Sequence, residues 1–242
     1  MMPDNSRPWL KLQQLTFNRG ERTILRNISL DFRAGELTLL TGQNGSGKTT
    51  LLRILAGLLK PRQVGFEIAG RQRNWRRSYR YLREQICYLH QHPYLFDCSV
   101  YDNIAYGLKR KKLGRQATAA KVAEALELIS LEHLAERNCH ELSGGEKQRV
   151  AIARAWALSP RLMLLDEPVS NLDKHSRRIC YALINQLQRQ QIGVVYTSHE
   201  PQTGKLDLSR HIHLYEGELS TKLLQTTRAP AVIDLRKGSV GK

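Results

Sequence analysis

Eight consecutive residues, Gly42-Gln43-Asn44-Gly45-Ser46-Gly47-Lys48-Thr49, contain glycine, lysine and threonine at the spacing G-x-x-x-x-G-K-[ST]. Glycines let the backbone bend so that successive N–H groups point at one anion, and the positive end of a following helix adds to that field. In this pattern Lys48 reaches the β- and γ-phosphates of a nucleotide, and the Thr49 hydroxyl binds the Mg²⁺ that bridges them. The stretch therefore predicts a phosphate-binding loop.

The residues on either side of this loop support that interpretation. Residues 36–41 are apolar enough for a short buried strand, and residues 48–57 carry leucine and isoleucine at helical spacing up to a glycine. A glycine- and serine-rich loop that fits the pattern by chance is the alternative. A strand before the loop and a helix after it argue against chance, because this is the context that the motif requires.

A second candidate site lies where the apolar run 162–165 meets Asp166 and Glu167. Strands of a parallel sheet bind ligands at their carboxyl ends, which is where these two carboxylates fall. Asp166 is suited to support Mg²⁺, and Glu167 to polarise an attacking water as a general base. The alternative is a pair of acids that only caps the next helix.

Composition narrows the class of protein without identifying a partner. The chain has 242 residues and 41% apolar content, enough for one large domain or two small lobes. It contains no run near the roughly 18 apolar residues of a membrane span, and residues 1–7 are polar, so we expect a cytoplasmic protein. Its four cysteines are far apart in sequence, which indicates reduced, mostly packed thiols.

The formal net charge of +16 suggests an anionic partner. Much of the excess lies in residues 71–80, where arginines alternate with Trp75 and Tyr79, and in residues 109–112. Aromatic and basic residues together are compatible with nucleic-acid binding, but solvated helix faces near a membrane explain them equally well.

The order of the predicted elements indicates an α/β fold. Residues 10–17 and 24–32 alternate as antiparallel strands do, and further short strands are predicted at 65–69, 86–90 and 193–197. Residues 99–157 have a helical period, with Ala119, Val122, Ala123, Leu126, Ile129 and Ser130 on one predicted face, and a long helix is predicted over 174–191. Strands that alternate with helices after a phosphate-binding loop imply a mostly parallel sheet with helices on both faces.

The third motif is Leu142-Ser143-Gly144-Gly145-Glu146-Lys147-Gln148-Arg149, followed by an apolar helix. With this motif the sequence resembles the ATP-binding cassette (ABC) family, whose signature is LSGGQ. Glu146 stands where the family usually has glutamine, a change that we expect to be tolerated because the serine and glycines carry the phosphate contact. The resemblance extends from about residue 10 to residue 219.

Further site residues follow from the resemblance. Gln91 matches the loop glutamine that contacts Mg²⁺, Asp173 matches the acid of the loop that reaches a second subunit, and His199 matches the histidine that contacts the γ-phosphate. The family usually has an aromatic residue that stacks on adenine where this chain has Arg19, whose guanidinium plane is a candidate to replace it.

The resemblance also implies fold, ligands and mechanism. It implies a P-loop NTPase with a mixed, mostly parallel sheet and flanking helices, an antiparallel β subdomain and a helical subdomain. One domain would span 8–220, with a RecA-like core at 8–92 and 157–220, a helical subdomain at 93–156 and a basic tail at 221–242.

ATP and Mg²⁺ are the expected ligands, and hydrolysis would depend on Lys48, Gln91, Glu167 and His199. The expected ATP contacts are Gly42 to Thr49, Thr50 and Arg19, with Ser143, Gly144, Gly145 and Glu146 supplied by a second subunit packed head to tail.

The same resemblance suggests a bacterial transporter motor. Residues 92–108 resemble the segment of import cassettes that receives a permease helix. Their sequence is most like that of tungstate, molybdate and phosphate importers. The expected partners are transmembrane permease subunits, a second identical or paired cassette and an extracytoplasmic solute-binding protein, at the cytoplasmic face of the inner membrane. An exporter cassette, or an ABC ATPase that acts on nucleic acid or ribosomes, remains the alternative.

Overall fold

A computed structural model describes residues 7–198 and 206–222 of the chain. Its first sheet is antiparallel, with four strands in the order β2-β1-β4-β5. These strands are β1 (Leu10–Arg19), β2 (Arg22–Phe32), β4 (Gln63–Ile68) and β5 (Arg71–Arg73). Strands β1 and β2 form a hairpin whose last pair is Arg19 and Arg22.

The second sheet is the larger one and is mostly parallel. Its six strands run in the order β10-β9-β3-β8-β7-β6, and only the pair β9 and β10 is antiparallel. The strands are β3 (Leu37–Thr41), β6 (Ile86–Leu89), β7 (Leu162–Leu165), β8 (Gly193–Ser198), β9 (Arg210–Tyr215) and β10 (Glu218–Lys222). Strands β3, β7 and β8 are apolar and buried almost throughout, as expected for central strands covered on both faces.

Helices cover both faces of this sheet. They are α1 (Lys48–Leu55), α2 (Trp75–Gln85), α3 (Val100–Arg110), α4 (Arg115–Ile129), α5 (Gly144–Trp156) and α6 (Lys174–Arg189), with short 3-10 turns at Glu132–Leu134 and Cys139–Glu141. Side chains cap the amino ends of four helices: Asn74 caps α2, Ser99 caps α3, Ser143 caps α5 and Asp173 caps α6.

The six-stranded sheet separates two hydrophobic cores. Because successive side chains of a strand point to opposite faces, Leu39 of β3 joins one core and Leu40 joins the other. Met163 and Leu164 of β7 divide in the same way. One core lies against α1 and the four-stranded sheet, and the other lies against α3 to α6. The sheet is therefore a rigid platform whose strand ends position the loops described below.

The structure confirms the predicted fold class and corrects some of its details. The prediction omitted α2, β5, β9 and β10, and β10 runs two residues past the predicted domain end at 220. On α4, Val122, Leu126 and Ile129 are buried as predicted, but Ala119 and Ala123 are exposed. The buried face includes Thr118 and Ala125 instead, because it is rotated by one residue from the predicted stripe. The boundaries between core (8–92 and 157–220) and helical subdomain (93–156) stay a prediction.

Candidate active site

The glycine-rich loop connects the end of β3 to the start of α1 in the tight conformation that its sequence predicts. Gly42 has φ +155°, and a Cβ there would collide with the Leu214 carbonyl oxygen of β9. Gly47 has φ +107°, and its Cβ would lie 2.9 Å from Leu25 Cδ2 of β2. A side chain at either position would force the loop away from the strands around it.

Lys48 lies over this loop with its ammonium group held by main-chain oxygens. It is 6% exposed, and Nζ donates to the carbonyls of Gly42 at 2.8 Å and Gln43 at 3.1 Å. Burial lowers the pKa of Lys48, while the nearby charges of Glu167 and Asp166 oppose that shift. The loop therefore carries a buried cation beside a pair of carboxylates.

The start of α1 has the features of an anion site. Its N-cap is Gly47, which offers no side-chain cap, and its first turn has no acidic residue. The N–H groups at a helix start lack partners within the helix and carry partial positive charge. Ser46 Oγ is buried and has no hydrogen-bond partner within the described residues. These groups are suited to donate hydrogen bonds to phosphate oxygens.

Asp166 follows β7 and brings three strand ends and α1 together through hydroxyl groups. Its Oδ2 accepts from Thr49 Oγ1 at 2.7 Å and from Tyr88 Oη at 3.0 Å, and its Oδ1 accepts from Thr197 Oγ1 at 2.9 Å. Burial raises the pKa of Tyr88 to about 12, and the charge and hydrogen bond of Asp166 add to the shift. Tyr88 therefore remains a donor to Asp166 at neutral pH.

Glu167 is oriented by its neighbours on both the main chain and the side chain. Its φ of 49° is left-handed, and its amide donates to Thr197 Oγ1 at 2.8 Å. Gln91 Nε2 donates to Glu167 Oε2 at 3.2 Å and to Ser170 Oγ at 3.2 Å. A left-handed conformation in a residue other than glycine costs about 1–3 kcal/mol, so the surrounding contacts must hold Glu167 in this direction. The structure thus places Gln91 beside the carboxylate predicted to be the general base.

The oxygen atoms of this cluster suit Mg²⁺. Thr49 Oγ1 and a carboxylate oxygen of Asp166 are 2.7 Å apart, and Mg²⁺ prefers one or two such protein oxygens together with phosphate and water. Gln91, whose side-chain amide contacts Glu167 beside this pair, has a carbonyl oxygen that could serve as a further ligand. The assignment of Thr49, Asp166 and Gln91 as Mg²⁺ ligands stays a prediction.

The third motif forms the start of α5 and lies apart from the glycine-rich loop. Ser143 and Glu146 form a capping box, in which Glu146 Oε2 accepts from the Ser143 amide at 2.8 Å and the Glu146 amide donates to Ser143 Oγ at 3.3 Å. Within the described part of the chain, no hydrogen bond or ion pair joins residues 143–146 to residues 42–49. The two motifs therefore share no polar contact in this part of the chain.

Glu146 contributes to this cap in its charged form. Burial would raise the pKa of Glu146, but hydrogen bonds from Ser143, helped by Arg149 and Arg137, lower it below its usual range. Its contribution to stability is therefore complete above the ordinary glutamate pKa and is lost as the pH falls through the lowered value.

Gly145 and Asp173 connect this motif to the next helix. A Cβ on Gly145 would collide with the Ser176 side chain of α6. Ser176 Oγ donates to Asp173 Oδ2 at 2.6 Å, and Asp173 Oδ1 accepts from the amides of His175 and Ser176 at 2.8 and 2.9 Å. Asp173 is exposed and caps its own helix, and its predicted contact with a second subunit stays a prediction.

The two remaining predicted site residues are His199 and Arg19. His199 lies outside the described residues, since β8 ends at Ser198. Arg19 is exposed at the end of the β1–β2 hairpin, and the same hairpin carries the Leu25 side chain that lies against Gly47. The contact of Arg19 with the adenine base stays a prediction.

The sequence analysis missed three residues of this cluster: Tyr88, Ser170 and Thr197. Tyr88 and Thr197 lie near the carboxyl ends of β6 and β8, the strands on either side of β7. Because the carboxyl ends of neighbouring parallel strands meet at one edge, polar residues at these positions were a usable signal.

Replacing Ser143 with alanine is expected to lower the free energy of unfolding by about 1 kcal/mol, because the change removes the side-chain acceptor at the start of α5. Urea unfolding monitored by circular dichroism measures the change. Ser143→Thr is the matched control, because it keeps a hydroxyl acceptor at the N-cap and should lose much less stability. Equal losses in the two variants would show that the cap does not stabilise α5.

Two surfaces outside the cluster are also distinctive. Tyr94 and Tyr106 are 74% and 44% exposed, and Phe96 between them lies 5.7 Å from the Tyr94 ring and 4.5 Å from the Tyr106 ring. We call these three residues the aromatic surface.

The second is an arginine surface on β5 and α2, where the arginines have no carboxylate partner among the described residues: Arg71, Arg73, Arg76, Arg77, Arg80 and Arg83. None of the helices in the described ranges has the length and apolar character needed to cross a membrane.

Known proteins with similar sequences and folds include ATP-binding proteins of transporters. The ABC transporter family model matches residues 25–170. The Fe(3+) ions import ATP-binding protein FbpC of Vibrio cholerae is 40% identical over 183 residues, covering 75% of this chain and 51% of that protein. The spermidine/putrescine import ATP-binding protein PotA of Legionella pneumophila is 36% identical over 209 residues, covering 86% and 57%. The chain thus spans little more than half the length of these curated relatives. Among solved structures, CbiO1 of Clostridium perfringens, part of the ABC transporter complex CbiONQ, matches with a TM-score of 0.80 and 30% identity over 88% of this chain and 87% of that one.

Proposed function

The chain belongs to the ABC transporter family, and from this we propose that it binds ATP with Mg²⁺ and hydrolyses it to ADP and phosphate. One observation carries the proposal. The hydrogen bond from Thr49 to Asp166 joins the glycine-rich loop to the acid-ended strand, and Glu167 and Gln91 lie against each other beside it. Motifs that are more than 100 residues apart in the sequence thus form one cluster.

Each residue of the cluster has a role in the proposed reaction. The loop amides and Lys48 hold the β- and γ-phosphates and neutralise their charge. Thr49 and Asp166, with Gln91, would hold Mg²⁺, which when bound neutralises charge on the phosphates. Glu167 orients water for attack and accepts its proton, in a direction set by Gln91 and Thr197. We propose that His199 contacts the γ-phosphate.

The separation of the two phosphate motifs supports a second proposal, that two cassettes pack head to tail around ATP. Ser143 to Glu146 of one copy would contact the γ-phosphate held by the loop of the other. Closure would then depend on the third phosphate, and hydrolysis would open the pair. A second copy of this chain is the simplest partner, and a different cassette would present the same chemistry.

We further propose that the cassette drives import of a small solute. Relatives named for import of iron(III) and of spermidine or putrescine support the direction of transport. The aromatic surface supports the contact with transmembrane permease subunits, because exposed aromatic clusters mark protein interfaces. Such a cassette works at the cytoplasmic face of the inner membrane with a solute-binding protein outside. The oxyanion cargo suggested by the sequence stays a prediction, since the relatives above are named for other solutes.

The proposal is tested by affinity purification of this chain from detergent-solubilised native membranes. Recovery of an integral membrane subunit supports transport, and a Tyr94→Ala/Tyr106→Ala variant should recover much less of it. Lys60→Ala, which changes an exposed residue in the loop after α1, is the control and should recover as much as the unchanged chain. Recovery of only soluble proteins would contradict transport.

The arginine surface is the observation that favours a second function, an ABC ATPase that acts on nucleic acid. These arginines, five of the six exposed and none paired with a carboxylate among the described residues, would neutralise phosphates and make binding strongly dependent on salt. Stimulation of the ATPase by DNA or RNA that is lost between about 50 and 200 mM salt would support this function. Stimulation by a membrane protein supports transport instead.

Replacing Arg19 with alanine is expected to raise the Michaelis constant for ATP by roughly 2- to 5-fold, because a cation stacked on a ring contributes about 0.5–1 kcal/mol at exposed sites. Steady-state ATPase kinetics measure the constant. Arg26→Ala on the same hairpin is the control, since Arg26 is also exposed. An unchanged Michaelis constant would remove Arg19 from the nucleotide site.

A further inference from the structure

Two of the four cysteines face each other at the start of α3. The backbone forms an antiparallel bridge between Ser99 and Asn138, which places Cys98 directly opposite Cys139. The Cys139 amide donates to the Cys98 carbonyl at 3.1 Å, so the pairing continues through these two residues. The sequence analysis expected reduced, mostly packed thiols because the four cysteines are far apart in the chain, and it did not anticipate that two of them lie opposite each other.

The sulfur atoms of Cys98 and Cys139 also point toward the same side-chain amide. Asn103 Nδ2 lies 3.2 Å from Cys98 Sγ and 3.1 Å from Cys139 Sγ, so both thiols touch one nitrogen. Residues directly opposite each other in antiparallel strands have Cα atoms about 4.5–5.5 Å apart. A disulfide requires a Cα separation of about 4.4–6.8 Å. The backbone therefore holds this pair at a separation that a disulfide can span after rotation of the side chains alone.

We propose that Cys98 and Cys139 form a modification site that closes to an intramolecular disulfide in the presence of a peroxide. Cys98 is half-buried and Cys139 is 2% exposed, so the oxidant meets Cys98 first. The Cys98 thiolate attacks hydrogen peroxide, the O–O bond breaks, and a sulfenic acid and hydroxide form. The Cys139 sulfur then displaces hydroxide from the Cys98 sulfur and forms the S–S bond. In total two thiols are oxidised, one peroxide is reduced and two waters form.

The surroundings tolerate the new bond. Asn103 Nδ2 also lies 3.1 Å from the Phe96 carbonyl and 3.1 Å from the Ser99 carbonyl. When the thiols leave the amide, it keeps these stronger acceptors, so no buried donor is left without a partner. The bond closes a loop of about 40 residues and would stabilise the folded state by restricting the unfolded chain.

The other two cysteines provide an internal comparison. Cys180 is fully buried in the core, and burial raises its pKa to about 12. Cys87 contacts the Ala155 carbonyl at 3.7 Å, and burial raises its pKa to about 11. Neither has a second cysteine opposite it in a strand pairing of the described residues. Only one of the possible disulfides is therefore expected.

The proposed pair is slow to react at neutral pH. Burial raises the pKa of Cys139 to about 11, with the nearby Cys98 as the next contribution. Burial also raises the pKa of Cys98, and the charges of Asp102 and Asp97 add to that shift. Because the thiolate is the reacting form and both thiols ionise above the ordinary value of about 8.5, the rate of oxidation is expected to increase with pH through and above that value.

The test uses the full chain treated with hydrogen peroxide and then alkylated in denaturant. The expected result is a fall from four free thiols to two, with a peptide map that shows Cys98 joined to Cys139 and a return to four after dithiothreitol. Cys98→Ser and Cys139→Ala should form no internal disulfide, whereas Cys87→Ser should form it as the unchanged chain does.

The peptide map of the unchanged chain decides the question, so a variant that fails to fold does not affect it. Four free thiols, a Cys98 oxidised further without a cross-link, or a disulfide through Cys87 or Cys180 would each overturn the proposal. The inference is independent of the proposed function, because the bond forms or fails whatever the protein transports.

Discussion

Replacing Glu167 with glutamine is expected to lower ATP turnover by about 100- to 10,000-fold while ATP binding is retained, because a positioned general base contributes about that factor. Glutamine keeps the size of the side chain and can still interact with the Gln91 amide, which lies 3.2 Å from Glu167 Oε2. It cannot accept the proton of the attacking water. Phosphate release in a single-turnover experiment measures the loss.

The same variant should accumulate an ATP-bound dimer, because the pair closes on ATP and then fails to reopen. Analytical ultracentrifugation with and without ATP detects the change in mass. Glu136→Gln is the matched control, since Glu136 is exposed and forms no ion pair or hydrogen bond among the described residues. Turnover like that of the unchanged chain in Glu167→Gln would remove Glu167 from the role of general base.

Replacing Lys48 with alanine is expected to weaken ATP binding by about 100-fold or more. Hydrogen bonds to a charged group contribute about 1.5–3 kcal/mol each, and a loss of 1.4 kcal/mol is tenfold in affinity. The ammonium group now donates to the carbonyls of Gly42 and Gln43. With alanine, the buried loop would face phosphate without a compensating positive charge.

Isothermal titration with ATP and Mg²⁺ measures this loss. Lys60→Ala removes a positive charge from an exposed position just after α1, and it should bind ATP as the unchanged chain does. Thermal unfolding without nucleotide separates a binding defect from a folding defect. Equal affinity in Lys48→Ala and Lys60→Ala would show that the glycine-rich loop is not the phosphate site.

The sequence predicts best where local chemistry determines the conformation. The turn at Gly42 and the start of α1 at Lys48 follow from the glycine-rich pattern, and β7 follows from four apolar residues before Asp166. In contrast, α2 was omitted although its sequence carries a helical period, because Trp75, Ser78, Tyr79 and Leu82 recur at i, i+3, i+4 and i+7 between arginines. Its capping residue, Asn74, was a second local signal.

Contacts between distant segments explain the remaining omissions. Tyr88, Asp166 and Thr197 meet because β6, β7 and β8 are neighbours in one sheet, and a strand order is not encoded in any one strand. Cys98 and Cys139 are likewise brought together by a single bridge between two loops. In β9, by contrast, the alternation of buried Ile212 and Leu214 was present in the sequence and could have been recognised.

Release of phosphate from Mg²⁺-ATP by the purified chain, measured beside Lys48→Ala at the same concentrations, tests the central claim most directly. The cluster formed by the glycine-rich loop, Asp166 and Glu167 predicts turnover that requires Mg²⁺, increases more steeply than linearly with protein concentration because two copies form the site, and is absent in the variant. Turnover that is equal in the two proteins, or none in either at any protein concentration, would contradict the account of this chain as an ATP-hydrolysing motor.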